Sequence, residues 1–375
     1  MMKRTKKLML FLLTFALAFG VLTTTRMTAS ANTGDRDTTG YENATLPTGP
    51  DMSGDVITVT PENAQYTLDG AYGSIDGKTV HFSSGTYSET LVLARPTKFT
   101  YSNTKYYQSS DGTELTYDYV VSVKGTNHGM YIYERSLSDV TFTADDDVVL
   151  PGFYLLSGLV KNENNNYNYV LETSITGTGD SGYAYYGRSN LSNVTFEGLT
   201  ISGGIDLSNG NSDYYGSTSG LTIENCTFTG NESIWNTDSA GGYNLIAILF
   251  RSWTGSGNTH ATYQDIVIKG CTFENYGYGF FVQYITDLTV TNNSFTNIHY
   301  NALQLSKSVL GTIDIEENLI KNVLDRAFRL DEASDATSIT AKNNVILNSG
   351  DDSYQNFKAT SLPADTSAVS LEYNY

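Results

Sequence analysis

The sequence predicts an all-β chain wound as a single-stranded, right-handed parallel β-helix: a solenoid with three short strands per coil, opened by a short N-terminal capping helix. Three observations carry the prediction. One skeleton returns through the second half of the chain, apolar and polar residues alternate within each copy, and no helical run separates the copies.

The skeleton reads "NVTFEGLTISG" (193–203), "GLTIENCTFTG" (220–230), "DIVIKGCTFEN" (265–275), "DLTVTNNSFTN" (287–297), "TIDIEENLIKN" (312–322) and "SITAKNNVILN" (338–348). The starts differ by 27, 45, 22, 25 and 26 residues. Apart from the longer interval, this is the period of a solenoid in which each repeat is one supersecondary unit. Within a unit, pairs such as Ile266 and Ile268, Leu288 and Val290, or Ile313 and Ile315 alternate with polar residues, the mark of a half-buried strand. A polar pair interrupts it, and a second strand follows, led by Phe228, Phe273, Phe295, Ile320 or Ile346. A third strand takes the rest of the unit: "IAILFR" (246–251), "GFFVQ" (279–283), "NALQLS" (301–306) and "RAFRLD" (326–331). The units lack the 3.6-residue periodicity of helical solenoids and the leucine spacing of leucine-rich repeats.

The interrupting position holds Cys226, Cys271, Asn293, Asn318 and Asn344 in successive coils. Coils stack about 4.8 Å apart, so these side chains are predicted to form one column. Amides in such a column satisfy turn backbone groups and one another, which assigns them to structure. The cysteines are predicted to be small fillers of the same column, pointing the same way and poorly placed for a disulfide.

The N-terminal segment "TPENAQYTLDGAYGSIDGKTVHFSSGTYSETLVL" (60–93) resembles the opening of the pectate-lyase-like β-helix superfamily, where a capping helix leads into a strand and a "GTY" turn. Its residues agree: Thr60 suits a cap, Pro61 the first helical position, and Ala64 and Leu68 lie four apart to cover the open end of the first coil. The resemblance spans residues 55–375. It implies the fold; the superfamily includes lyases, hydrolases, isomerases and non-enzymatic surface proteins, so the activity is argued from the site.

Residues 1–31 read as a secretory signal peptide, with Lys3, Arg4, Lys6 and Lys7 before the run "LMLFLLTFALAFGVL" and a small-residue "ASA" ahead of Asn32. A secreted, extracellular chain is expected, with a flexible leader at 32–54 and a β-helix domain at 55–375. Removing the five basic residues of 1–31 takes the net charge from −18 to −23. A nucleic-acid partner is disfavoured, since a phosphate backbone calls for a basic footprint. No membrane contact is expected after cleavage. Two cysteines and four scattered histidines give no metal-ligand spacing, so no cofactor is expected. "DDD" (145–147) is the one stretch with the chemistry to hold Ca2+.

The function expected is binding of extracellular polysaccharide on an outward ribbon of the third strand. Aligning Ala247, Gly279, Ala302 and Ala327 places Leu249, Phe281, Gln304 and Arg329 in one column, Arg251, Gln283, Ser306 and Asp331 in a second, and Tyr278, Asn301 and Arg326 in a third. The long interval carries two insertions, with Trp235 and Trp253 one in each. Flat aromatic faces suit sugar rings, and loops on a rigid scaffold concentrate function. Two alternatives stand beside this reading. A lyase or hydrolase acting on acidic polysaccharide would draw on Arg326, Arg329 and Asp331 as base and charge partners. The strings "NTD" (236–238) and "HG" (128–129) resemble polygalacturonase motifs but occur in reversed order, and no "RIK" is present. A non-enzymatic surface or adhesive protein is the other alternative.

Overall fold

The computed structural model describes residues 47–68, 70–93, 106–107, 114–115, 130–155, 184–208, 217–235, 246–252, 261–350 and 356–375. For residues 106–107, 114–115, 130–135, 184–189 and 234–235 it describes the backbone alone. The expected signal peptide and most of the expected leader lie outside these residues. The chain divides into two compact units, one of residues 1–37 and 98–119 and one of residues 38–97 and 120–375. In the first, Tyr106–Tyr107 pairs antiparallel with Glu114–Leu115. The second is the β-helix.

Three stacks of parallel strands run through it. In sheet 1 the inward column reads Ile57, Val80, Phe142, Phe196, Ile223, Ile268, Val290, Ile315, Ala341 and Leu371, coil upon coil. In sheet 2 it reads Leu150, Ile201, Phe228, Phe273, Phe295, Ile320 and Ile346. In sheet 3 it reads Leu91, Phe153, Ile205, Ile248, Phe280, Leu303, Phe328 and Phe357. A fourth, shorter stack precedes sheet 1, through Leu137, Leu191, Thr218, Tyr263, Ile285 and Val309. The three-strand reading lacks it. It also divides what is continuous in two coils: Tyr278–Thr291 and Asn301–Glu316 each run unbroken from sheet 3 into sheet 1. They bend at left-handed residues, Tyr284 and Asp287 in one and Lys307 and Ser308 in the other.

Identical residues at one inward position meet their copies in the next coil. Phe228 and Phe273 stack at 4.7 Å and 13°, and Phe273 and Phe295 at 4.6 Å and 6°. All three are almost fully buried, each burial contributing up to about 3 kcal/mol. Gly279 has no room for a side chain, because a Cβ there would meet the Phe295 ring and the Ala302 carbonyl, each at 2.6 Å. The same inward side is filled by alanine at 247, 302 and 327.

The turn after sheet 1 is a two-residue device: a left-handed residue (Asn225, Gly270, Asn292, Glu317 or Asn343), then the column residue. The predicted column exists. The Asn318 Nδ2 donates to Asn344 Oδ1 (2.9 Å) and to the Val290 carbonyl (3.0 Å). Its Oδ1 accepts from the N–H and Nδ2 of Asn293, both at 3.0 Å. All donor and acceptor capacity of the amide is used. Cys226 and Cys271 occupy the same column as buried free thiols, and the Cys271 N–H donates to Asn293 Oδ1 (2.8 Å). The neighbouring Cys226 and burial push the Cys271 thiol up, which keeps it protonated. Asn374 adds a further rung, accepting from Asn344 Nδ2 (2.9 Å) and donating to the Ala341 carbonyl (2.8 Å). A second amide ladder, not anticipated from the sequence, follows sheet 2: Asn322 donates to Asn297 and Asn297 to Asn275, each at 3.0 Å.

The capping helix is Ala64–Leu68, later than Pro61. The preceding turn is tighter, closed by the Asn63 N–H on the Thr60 carbonyl (3.1 Å), while Asn63 Oδ1 accepts from the Thr60 N–H (2.8 Å). Ala64 and Leu68 are buried as predicted. Gln65 then covers the free edge of Leu91–Leu93: its Nε2 donates to the Val92 carbonyl (3.0 Å) and its Oε1 accepts from the Val92 N–H (2.8 Å). A side-chain amide thus completes an open strand edge. Gly85, at the "GTY" turn, lies against Pro61, whose Cγ a Cβ would meet at 2.6 Å. The end of the expected flexible leader is tied to the fold, Pro47 accepting from Tyr72 Oη (2.8 Å) and Thr48 from Asn63 Nδ2 (3.0 Å).

Candidate functional site

Sheet 3 turns one continuous column of side chains outward. The register aligns Val92, Tyr154, Asp206, Leu249, Phe281, Gln304, Arg329 and Lys358. Four of these, Leu249, Phe281, Gln304 and Arg329, are the column predicted from sequence; Tyr154, Asp206 and Lys358 extend it. Gln283 stands beside Ser306 as expected, and Asn301 beside Arg326.

The ribbon is less open than a solvated ladder. Gln304 and Arg326 are each only 9% exposed, and Asn301 is almost fully buried. Alternation predicts which side of the strand a residue takes; what lies over that side is a tertiary matter, so these outward residues are nonetheless covered. Their polar groups pair within the site. Asn301 Nδ2 donates to Gln304 Oε1 (2.9 Å). The Arg326 Nη1 donates to both carboxylate oxygens of Asp325, at 2.7 and 2.8 Å. Arg329 Nε donates to Asp331 Oδ2 (2.8 Å), and Asp331 Oδ1 accepts from Thr360 Oγ1 (3.1 Å).

An aromatic cluster flanks the column. The rings of Tyr278 and Tyr300 stack at 5.0 Å and 20°, Phe281 lies 5.8 Å from Tyr278, and His299 meets Tyr300 edge-on at 4.7 Å. Such a cluster offers both flat faces and polar edges. Toward the cap, a cavity of about 430 Å³ opens beside Val92, lined by Glu62, Tyr66, Tyr87 and Glu89 among others.

Asp206 is a carboxyl the sequence reading overlooks. Burial pushes it above the ordinary carboxylate range, against the pull of Ser208, whose N–H donates to Oδ1 (2.9 Å), and of the Arg251 guanidinium. Burial, with the Asp206 charge, also raises the Tyr154 phenol. A carboxyl whose burial favours its neutral form has the chemistry of a proton donor.

Of the other predicted site residues, Arg251 follows the strand Ile246–Phe250 at the ribbon's edge, its carbonyl accepting from Tyr263 Oη (3.2 Å). Trp235 closes a short helix, Glu232–Trp235, and its side chain lies outside the described residues. Trp253 also lies outside them. In the acidic run considered for Ca2+, Asp145 is engaged by His81 Nε2 (3.0 Å) and by the Ser84 N–H (2.7 Å), and Asp147 by Ser84 Oγ (2.7 Å). Among the described residues no group of three or more His, Cys, Asp or Glu side chains is arranged to hold a metal. Among them, too, no helix is long and apolar enough to cross a membrane.

Comparison with known proteins agrees with the architecture. Residues 249–367 match the family described as "Right handed beta helix region". No curated protein sequence matches the chain. Among solved structures, a polygalacturonase from Erwinia carotovora ssp. carotovora aligns at 13% identity and a TM-score of 0.30, covering 84% of this chain and 98% of that one. The class that the coil register and this family match define is the right-handed parallel β-helix.

Proposed function

We propose that the chain is an exported β-helix protein that binds extracellular polysaccharide on the outward ribbon of sheet 3. One observation carries the reading: coil stacking brings Tyr154, Phe281, Gln304 and Arg329 into one column, with Tyr278 and Tyr300 stacked beside it. Aromatic faces hold sugar rings while the amide and guanidinium groups select hydroxyls or charged substituents. The basic, apolar and small-residue order of residues 1–31 supports export, with cleavage before Asn32.

A second reading, an enzyme acting on acidic polysaccharide, is favoured by Asp206, a carboxyl on the same face whose pKa burial raises. A glycan panel read for binding and for unsaturated-product absorbance, with reducing ends counted, separates the two. Binding without product supports the binding protein. Product that disappears in Asp206→Asn supports the enzyme. Absence of any binding removes both and leaves a structural or adhesive role.

A further inference from the structure

The two ends of the β-helix core are finished differently. At the N-terminal end the helix Ala64–Leu68 closes the first coil, whose Ile57 and Val59 are fully buried. At the other end the inward columns run out into solvent. In sheet 1, Ile315 and Ala341 are fully buried, yet Leu371, next in the same column, is 45% exposed. Sheets 2 and 3 repeat the step: a buried Ile320 gives way to a half-buried Ile346, and a buried Phe328 to a half-buried Phe357. The strands Val345–Leu347, Phe357–Ala359 and Val369–Glu372 each pair with the preceding coil only.

The surface around this end is apolar as well. Val345, Leu347, Leu362, Leu371, Tyr373 and Tyr375 are six of the ten large apolar side chains exposed among the described residues, so the exposure is concentrated here. The outward column of sheet 2 changes along its length, reading Thr200, Thr227, Thr272 and Ser294 before it turns to Leu319 and Val345. Tyr373 is the sharpest sign. It holds the left-handed turn position at φ 55° and is 65% exposed, where the five preceding turns use Asn, Gly or Glu. A bulky aromatic is a costly choice for that backbone and gains nothing from the water it faces. Patches of this kind mark interaction surfaces.

We propose that this end is a dimer interface, in which a second copy of the chain presents the same end about a two-fold axis. Two features select a second copy. A two-fold reverses strand direction, so the open edge of Val369–Glu372 meets its own copy antiparallel, and one strand supplies donors and acceptors to both sides. The area also suffices. The six side chains expose on the order of 500 Å² per copy, so two copies bury about 1,000 Å² before the strand edges are counted, the size a specific interface has to clear. The open core of each copy is then covered by the other, as the capping helix covers the far end. The proposal is independent of the carbohydrate reading.

Sedimentation velocity of the full chain over a range of concentrations tests it. A species of twice the monomer mass is expected at micromolar concentration, giving way to monomer on dilution. Two substitutions are chosen to spare the fold. Tyr373→Asn supplies the residue that Asn225, Asn292 and Asn343 place at the same turn position, and Leu347→Lys repeats its register neighbour Lys321. Together they should weaken self-association about tenfold or more with unchanged circular dichroism. Val149→Lys, at an exposed apolar residue in an early coil of sheet 2, should leave the dimer intact. Hydrogen exchange in peptides covering residues 369–375 should be slower at high protein concentration than at low. A chain that stays monomeric throughout, a dimer that the double variant leaves unchanged, or open-ended assemblies that lengthen with concentration would overturn the proposal.

Discussion

The turn beside sheet 1 and the ribbon of sheet 3 obey one stacking rule and end differently. At the turn, the column repeats asparagine, and each amide uses its neighbours completely, Asn293 on Asn318 and Asn318 on Asn344. The sheet 1 charges behave alike, Glu224 with Lys269 and Glu316 with Lys342, each bond tying one coil to the next. On the ribbon the column changes residue at every coil, and its charges pair within their own strand or turn, Asp325 with Arg326 and Arg329 with Asp331. Such pairs tie no coils together. They orient the side chains along a largely half-buried face. Like residues stacked on like stabilise the solenoid; unlike residues held in place make a surface that another molecule can read.

The strongest way to break this contrast is Asn318→Leu. It removes the ladder amide, strands two donors of Asn293, and takes one donor each from the Val290 carbonyl and from Asn344 Oδ1, which keeps only the N–H of residue 318. Buried groups left unpaired cost about 1–3 kcal/mol each before relaxation, so a loss of roughly 3–5 kcal/mol is expected in chemical denaturation. Carbohydrate affinity should not move. Phe281→Ala is the mirror experiment. Affinity should weaken by about 1–3 kcal/mol in calorimetry, as loss of an aromatic anchor does, while the melting temperature stays close to the parent's.

Asp206→Asn sharpens the comparison through pH. Burial raises the Asp206 pKa in the folded state, so the fold binds this proton more tightly than the unfolded chain does. The ionised group therefore costs stability above the folded-state pKa, and that cost vanishes as pH falls from there toward the ordinary carboxylate value. The variant should be the more stable protein at neutral pH. Its advantage should shrink on acidification, read as the difference between the two melting curves across pH. The smallest effect is expected for Lys342→Ala, which removes an exposed cross-coil ion pair with Glu316. A slight lowering of the melting temperature is expected at low salt, and less at high salt. A larger, salt-independent loss would mean that ion pairs, rather than the amide ladder, hold the coils together.

Much of the fold was legible in the sequence because the β-helix repeats its local rules. Inside–outside alternation, a two-residue turn and the returning phenylalanines are all visible as strings. The ribbon's central column was legible because aligning Ala247, Gly279, Ala302 and Ala327 sets the register that stacks Leu249, Phe281, Gln304 and Arg329. Asn374 was hidden because Tyr373 takes the left-handed position before it, where the other copies carry Asn, Gly or Glu. The Asn275–Asn297–Asn322 ladder was hidden because the residues after it vary: Tyr276, Ile298 and Val323. The fourth stack contributes too few residues per coil to show alternation. Asp206 was missed because the register shifts between Ile201 and Gly204, which breaks the spacing that identifies its neighbours. Lys358 was missed because the stretch after Leu347 departs from the repeat. Burial of Gln304 and Arg326 could not be read at all, for it depends on what the fold lays over the strand.

The central claim is that carbohydrate engages sheet 3 while sheet 1 and its ladder serve the scaffold. Hydrogen–deuterium exchange of the full chain, with and without the best-binding polymer from the panel, tests it most directly. The account predicts slowed exchange in peptides covering residues 279–283, 302–306 and 327–331, and no change in those covering 313–318 and 339–344. Protection confined to the second group, with the first unaffected, would contradict it.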